Sequence, residues 1–232
     1  MAERPRVLMN FASSIDGKIA LAPHLRKRPF TMSRGKADHL RMRELRATAD
    51  AILIGAGNLR VDDPDLALSP EERETRHARG ERQPYRAVVT RRGAGVTPDR
   101  KMFDASLGGP SLVVHSEGMP GSLRERLAAV ATLVAFGEKD VDIPPMLAWM
   151  ARELGVRTLL CEGGGILASE LFRAQAVDEL YVTLVPRVLG GADAPTLAQG
   201  SGFLPDEIPD ATLGAVDRIG DELYLRYDFR WP

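Results

Sequence analysis

The run Thr158-Leu-Leu-Cys-Glu-Gly-Gly-Gly-Ile-Leu-Ala-Ser-Glu-Leu-Phe172 constrains this chain more than any other stretch. Its first four residues are β-branched or apolar without alternation, the pattern of a strand buried on both faces. From Ile166 the apolar residues recur at helical spacing, so three glycines have to turn a strand into a helix. The strand brings Glu162 to its carboxyl end, and the glycines remove the side chains that would block a close approach. The start of the helix offers N–H groups and a positive dipole end, which suits a phosphate. Gly163-x-Gly165-x-x-Ala168 also satisfies the dinucleotide form G-x-G-x-x-G/A. A Rossmann half-domain carries that form after its first strand, with an acidic residue about 20 positions later. Here it lies late in the chain, and Asp178 and Glu179 come too early. The pattern alone leaves two readings open, a phosphate cradle or a tight strand-helix corner.

The rest of the chain repeats this alternation. Arg6–Ala12, Ala51–Gly55, Tyr85–Thr90, Ser111–Ser116, Thr132–Phe136, Val156–Cys161 and Glu179–Val185 read as strands. Ser33–Ala49, Pro145–Leu154 (stopped by Gly155) and Ile166–Gln175 read as helices. Such alternation predicts an α/β fold with a largely parallel sheet covered on both faces. The end differs: Leu223, Leu225, Tyr227 and Phe229 alternate with Tyr224, Arg226 and Asp228, as in a half-buried antiparallel strand. Glu71–Gln83, nearly all charged, reads as an exposed loop or irregular helix, and Gly190–Pro209 as irregular. With 232 residues, 44% of them hydrophobic, one domain over 1–232 is expected. A net charge of −1 argues against a nucleic-acid surface, although arginine outnumbers lysine. The single cysteine, Cys161, excludes an intrachain disulfide and a cysteine-based zinc site, and reads as core filler. With no N-terminal signal and no apolar run of membrane-spanning length, a cytoplasmic protein without a membrane partner is expected.

Two further segments carry polar groups. Gly55-Ala-Gly-Asn-Leu-Arg-Val-Asp-Asp-Pro-Asp-Leu66 follows an apolar strand, where open α/β sheets bind ligands. It is no Rossmann fingerprint, because Arg60 stands where the third glycine belongs. Asp62, Asp63 and Asp65 lack the remaining organised ligands of a magnesium site, so no metal is expected, and Asp63-Pro64 is equally an ordinary turn. The segment Val7–Ala20 delivers Asn10, Ser14, Asp16 and Lys18 in and after a strand. Together these groups could hold a polar or phosphorylated small molecule, whereas Asp16-Gly17 alone would be only a hairpin turn.

Taken in order, Ala12-Ser-Ser-Ile-Asp-Gly-Lys-Ile-Ala20, Ala51-Ile-Leu-Ile-Gly-Ala-Gly57 through Asp62-Asp-Pro64, Glu162-Gly-Gly-Gly165, Val177-Asp-Glu-Leu180 and Val185-Pro-Arg-Val-Leu-Gly-Gly191 resemble the pyrimidine reductases of riboflavin biosynthesis. The resemblance covers nearly the whole chain, and the tail from Ala194 to Phe203 is similar to the stand-alone, archaeal-type members. It implies a dihydrofolate-reductase-like fold, a three-layer α/β/α arrangement with a mostly parallel mixed sheet and an antiparallel C-terminal strand, assembled as a homodimer. It also implies reduction of a 5-phosphoribosylamino-pyrimidine to its ribitylamino form by NADPH. In that scheme Gly163, Gly164, Gly165, Ile166 and Leu167 cradle the cofactor phosphates with Gly137 nearby, and Asn58 and Asp62 line the nicotinamide side. From their spacing just after a strand, Arg91 and Arg92 are expected at the 2′-phosphate of the cofactor, with Thr90 as a further cofactor residue. Glu162 meets the substrate, with Asn10, Ser14, Asp16, Lys18, Ser33, Arg46 and Leu66 as further substrate residues. Asp62 and Glu162 are the catalytic candidates, with no proton donor chosen between them.

Two departures stand out. Asn58 occupies a place where the family usually has threonine. Ser69 lies near where some members have a basic residue toward the sugar phosphate, which leaves Arg46, Arg60 or Lys18 to neutralise that charge. The H-x-E and P-C-x-x-C elements of the zinc deaminase that precedes the reductase in bifunctional members are absent, so no deaminase activity is expected. Two alternatives stay open: another reductase of the same fold, or a nucleotide-binding module without catalysis.

Overall fold

A computed structural model of the chain describes residues 4–26 and 30–231. It divides into two compact units, one comprising Arg43–Leu160 with the residues up to Arg6, the other Val7–Met42 and Cys161 onward.

The first unit is built on β2 (Ala51–Gly55), β3 (Tyr85–Thr90), β4 (Ser111–His115), β5 (Thr132–Ala135) and β6 (Thr158–Cys161), ordered β5-β4-β3-β2-β6; the printed pairings β2–β3, β3–β4 and β4–β5 are parallel. Ala51, Ile52, Leu53 and Ile54 are fully buried, as are Leu159, Leu160 and Cys161. That continuous burial is why these strands read as unbroken apolar runs. Each large aliphatic side chain so placed contributes about 1.5–3 kcal/mol relative to exposure. Asp50, just ahead of β2, fixes the register: its carboxylate accepts from Arg157 N (2.8 Å) and Thr158 N (3.0 Å), while its carbonyl accepts from Tyr85 N (2.9 Å). Helix α4 (Gly121–Leu127) buries Leu127, and helix α5 (Ile143–Leu154) turns Ile143, Met146, Leu147 and Met150 inward at helical spacing and ends at Gly155 in the left-handed region.

The second unit is built on β1 (Arg6–Ser14), β7 (Val177–Val185), β9 (Glu222–Phe229) and β8 (Ala211–Ile219), in that order. β1 and β7 are parallel; β7, β9 and β8 are successively antiparallel. Helix α6 (Gly165–Arg173) buries Leu167, Ala168, Leu171 and Phe172, and Phe172 meets Phe229 with ring centroids 5.1 Å apart. Trp231 stacks on Phe229 at 5.8 Å and donates its indole N–H to Val177 O at 2.7 Å, closing the chain end onto β7.

The α/β class, the mostly parallel strands and the antiparallel C-terminal strand are as the sequence predicts. Three elements differ. The Gly55–Leu66 segment is not all loop, because α2 (Ala56–Asp62) starts directly after β2. Glu71–Gln83, expected to be irregular, contains the regular helix α3 (Pro70–Ala78). Ser69 caps it by accepting from Glu72 N (3.2 Å), and Glu72 reciprocates by accepting from Ser69 N (2.7 Å). Ser69-x-x-Glu72 is the capping-box signature, and charge density had masked it. β8 is the third: it is exposed along its whole length, so it has no buried face to impose an alternating pattern.

Arg43 of α1 (Lys36–Thr48) adds a hydrogen bond to Ser69 Oγ (2.8 Å) and one to Glu72 (2.9 Å). Ser69→Ala is therefore expected to cost about 1 kcal/mol, read as a lower urea midpoint at unchanged slope.

Candidate functional site

The second unit carries the glycine corner. Cys161 ends β6 fully buried, and that burial pushes its thiol up to about 12, so it has no thiolate chemistry at neutral pH. Glu162 follows, half-buried, and Gly163 (φ +107) turns the chain. The two glycines after it serve different ends. A Cβ on Gly165 would run into the Thr196 carbonyl and lie 2.9 Å from the Gln199 side chain, while Gln199 N donates to Gly165 O at 3.0 Å. Gly165 is thus fixed by protein packing. A Cβ on Gly164 would meet nothing within 4 Å, and Gly164 is the N-cap of α6 with no side-chain cap and no acidic residue in the first turn. An uncapped helix start with open approach at the cap is where an anion gains most from the backbone N–H groups and the dipole. Gly163 to Leu167 therefore form one corner; within it Leu167 faces the core (6% exposed) and Ile166 faces out (65%).

Ser14, Asp16 and Lys18 come together in the turn after β1. Ser14 Oγ donates to Asp16 Oδ1 (2.6 Å) and accepts from Lys18 N (2.9 Å). Asp16 also accepts from Leu189 N (3.1 Å) and Gly190 N (2.7 Å). The Ser14 hydroxyl first, then the two backbone N–H groups, hold its carboxyl down to about 2. Asp16 thereby ties the turn after β1 to the chain at Leu189 and Gly190. Lys18 Nζ reaches Ala194 O at 3.4 Å, and Lys18 bridges Thr196 through its backbone.

On β1 one strand position places Asn10 beside Tyr181 of β7. Among the described residues its buried amide oxygen has no hydrogen-bond partner, an acceptor that a bound donor would satisfy. Ser33, expected at the substrate, is 5% exposed and gives its hydroxyl proton to Glu222 (2.9 Å).

The first unit carries the other expected residues. Asn58 and Asp62 stand one turn apart on α2, so amide and carboxylate share a face. The loop beyond them is pinned: Asp63, in the left-handed region, accepts from Lys101 N (3.3 Å) and pairs with Arg100 (3.8 Å). Arg46, 9% exposed, donates to Ala67 O (3.4 Å) and faces Asp65 (3.9 Å). Leu66 adopts φ +56 and is fully buried; a leucine held at positive φ is strained, a feature that concentrates at functional loops. Thr90 Oγ1 accepts from Gly93 N (2.9 Å) and shapes the turn after β3. Arg91 pairs with Asp140 at 3.3 Å with both side chains more than 70% exposed, a contact of little net worth in water and easily exchanged. A Cβ on Gly137 (φ +78) would strike the Asp140 carbonyl, so its own loop accounts for that glycine. Arg60, one of the cations considered for the sugar phosphate, donates to Ala94 O (3.0 Å), and Ser69 itself is met by Arg43.

Residues 5–225 match the model of the RibD C-terminal domain. The chain is 35% identical over 94% of its length to the 2,5-diamino-6-ribosylamino-4(3H)-pyrimidinone 5′-phosphate reductase of Archaeoglobus fulgidus, of which it covers 95%. It is 31% identical to the protein of the same name from Methanothermobacter thermautotrophicus, with 97% of this chain and 98% of that one covered. Among solved structures, RibD of Acinetobacter baumannii superposes on 99% of this chain with a TM-score of 0.77 at 20% identity, and this chain spans 59% of that longer one.

Sequence reasoning found the glycine corner but not what backs it. Thr196 and Gln199 are more than 30 residues from Gly165, inside a stretch whose composition says only that it is irregular. The two glycines are expected to separate experimentally. Gly165→Ala should lower stability by about 1–3 kcal/mol through overpacking, seen as a drop in melting temperature, whereas Gly164→Ala, with extended backbone and open space, should melt close to wild type.

Proposed function

Because this chain belongs to the RibD C-terminal domain family, we propose that it reduces 2,5-diamino-6-ribosylamino-4(3H)-pyrimidinone 5′-phosphate to the ribitylamino compound in riboflavin biosynthesis, with NADPH as the nicotinamide cofactor. The observation that carries the reading is the Gly164-Gly165 pair: one glycine is locked by protein and its neighbour is open at an uncapped helix start, as a dinucleotide phosphate requires. The diamino-pyrimidinone is preferred over its deaminated form because the two archaeal relatives, matched over nearly their whole length, are named for it. The family match runs across both compact units, which supports one reductase domain over 1–232. A cytoplasmic location goes with substrates of this kind.

In this reading the backbone of Gly163 to Leu167 holds the cofactor phosphates. Thr90 shapes the turn that presents Arg91, whose exposed pairing with Asp140 yields to a 2′-phosphate and so favours NADPH over NADH. Asn58 replaces a hydroxyl by an amide that still donates and accepts toward the nicotinamide. When bound, the cofactor supplies the hydride. In the net reaction hydride adds to C1′ of the sugar, the C1′–O4′ bond breaks and O4′ gains a proton. Positive charge develops on the amine-bearing carbon as the ring opens, and a carboxylate at Asp62 or Glu162 stabilises it. Lys18 and Arg46 offset the sugar phosphate, Asn10 offers its unpartnered amide oxygen, and Ser14 and Asp16 hold the turn that carries Lys18.

Anaerobic incubation with NADPH and the phosphoribosylamino-pyrimidine should consume NADPH and yield a product with the mass of the ribityl compound. Asp62→Asn and Glu162→Gln should each lower kcat by about a hundredfold with circular dichroism unchanged; wild-type turnover in both would remove them from the chemistry.

We propose in addition a homodimer formed through β8. This edge strand is unpaired on one side, and Leu213, Val216 and Ile219 are each more than half exposed, a template for pairing with a second copy. Sedimentation should give a dimer for the wild type and a monomer for Val216→Lys. A dimer that survives Val216→Lys would place the interface elsewhere.

A further inference from the structure

The segment 30–35 leads into α1 and has no regular structure through Gly35. Its hold comes from outside. Ser33 Oγ lies 2.9 Å from both carboxylate oxygens of Glu222, and Arg34 N donates to the same carboxylate at 3.3 Å. Tyr224, two residues further along β9 and 5% exposed, donates its hydroxyl to Glu222 at 2.8 Å. Gly35 N returns to Ser33 Oγ at 3.1 Å, and any Cβ on Gly35 would stand 3.3 Å from the Glu222 carboxylate. At the other end, Arg187 donates to Thr31 O at 2.5 Å and lies over the Phe30 ring at 5.5 Å.

Three donors converge on Glu222, one of them the sole proton of the Ser33 hydroxyl. A carboxylate has acceptor capacity for all of them; an amide would turn two N–H groups toward donors. Glu222 is the first residue of β9, two residues after the turn at Gly220 (φ +64). The same network extends to the first turns of α1. The Arg41 guanidinium lies 5.0 Å from the Tyr224 ring and donates to Thr183 Oγ1 at 3.0 Å, while Thr183 donates to Asp38 at 2.5 Å.

We infer that Glu222 is a positioning residue for the reductase reaction: through Ser33, Arg34 and Tyr224 it fixes the 30–35 segment in the conformation that recognises the pyrimidine substrate. This rests on the proposed function, in which that segment belongs to the substrate side. Glu222 itself touches no reacting atom. Ser33 acts through the backbone it anchors, since its hydroxyl is already engaged.

The test uses Glu222→Ala, with Glu222→Gln as the milder variant should the first fail to fold, and two independent readouts. Hydrogen exchange of the peptide spanning 30–36 should accelerate in Glu222→Ala, because Arg34 N loses its acceptor and Gly35 N loses an ordered one. The Tyr224 hydroxyl, pushed up to about 12 by burial first and by its bond to Glu222 next, should ionise at lower pH in ultraviolet titration, with Tyr224→Phe assigning the signal. KM for the pyrimidine should rise about tenfold with kcat nearly unchanged, and Glu222→Gln should recover part of the loss. Unchanged exchange in the segment overturns the inference, and so does faster exchange with an unchanged KM. A wild-type protein that leaves the pyrimidine unreduced sinks the functional reading instead, and the exchange and titration results still decide whether the latch exists.

Discussion

The Asp16 carboxylate is the contact on which the second unit's irregular part depends. From Pro186 to Asp210 the chain forms no helix and no strand, so it has no hydrogen-bond ladder to hold its own course. Asp16 supplies acceptors to Leu189 N and Gly190 N, and Ile15 N donates to Arg187 O at 3.0 Å. Further on, Ile19 N donates to Pro195 O, and Thr196 and Gln199 then close against Gly165. A turn residue at position 16 thus sets the backing of a glycine corner at 165 through a segment that makes no regular structure. Because the folded state holds Asp16 below its ordinary range, this contribution is complete above pH about 4 and fades as pH falls toward 2. The grip is therefore fully formed at neutral pH.

The same unit builds one sheet face from polar groups. Asn10, Glu179, Tyr181, Thr183, Tyr224 and Arg226 occupy matched register positions on β1, β7 and β9. Burying such groups is unfavourable unless each finds a partner. Most do: Tyr181 donates to Glu179 at 2.6 Å, Arg226 pairs with Asp228 at 3.3 Å, and Arg41 lies near both tyrosine rings. Desolvation lowers the Arg41 pKa, and Asp38 opposes that effect. A face so specified is poor at accepting alternative packings, which suits a surface that has to hold fixed geometry rather than supply stability.

How much of this could be read from residues alone follows from where the determinants lie. β2 and β6 were legible because full burial writes itself as an unbroken apolar run, and the glycine corner because three glycines between strand and helix have few other uses. β8 was not, since an exposed strand with Gly214 inside it carries no periodic signal; the Gly220-Asp221 dipeptide before an alternating strand was the available hint of a hairpin. Helix α3 was hidden by its charge although Ser69-x-x-Glu72 announced its start. Asp16, Ser33 and Leu66 read in the sequence as substrate residues, and residue type does not separate a contact from a support. Residue type shows that a group can bind, but only the fold shows that Leu189, Gly190 and Glu222, each more than 150 residues away, have already engaged two of them.

That distinction sharpens the chemistry. A hydrogen-bonding group whose capacity is filled inside the protein can orient its neighbours but has nothing left for a ligand. By this criterion Ser33 is a support, its one hydroxyl proton given to Glu222, while Asp16 and Thr90 spend part of their capacity on the turns they shape. The open Gly164 cap and the unpartnered Asn10 oxygen have unused capacity, and the exchangeable Arg91 pair can release its own. These three are an N–H-rich helix start, an amide acceptor and a guanidinium, which suit phosphate, a hydrogen-bond donor and phosphate respectively. Groups of these kinds bind and orient rather than react, and with no thiolate at Cys161 the proposed reading leaves the redox step to the nicotinamide cofactor.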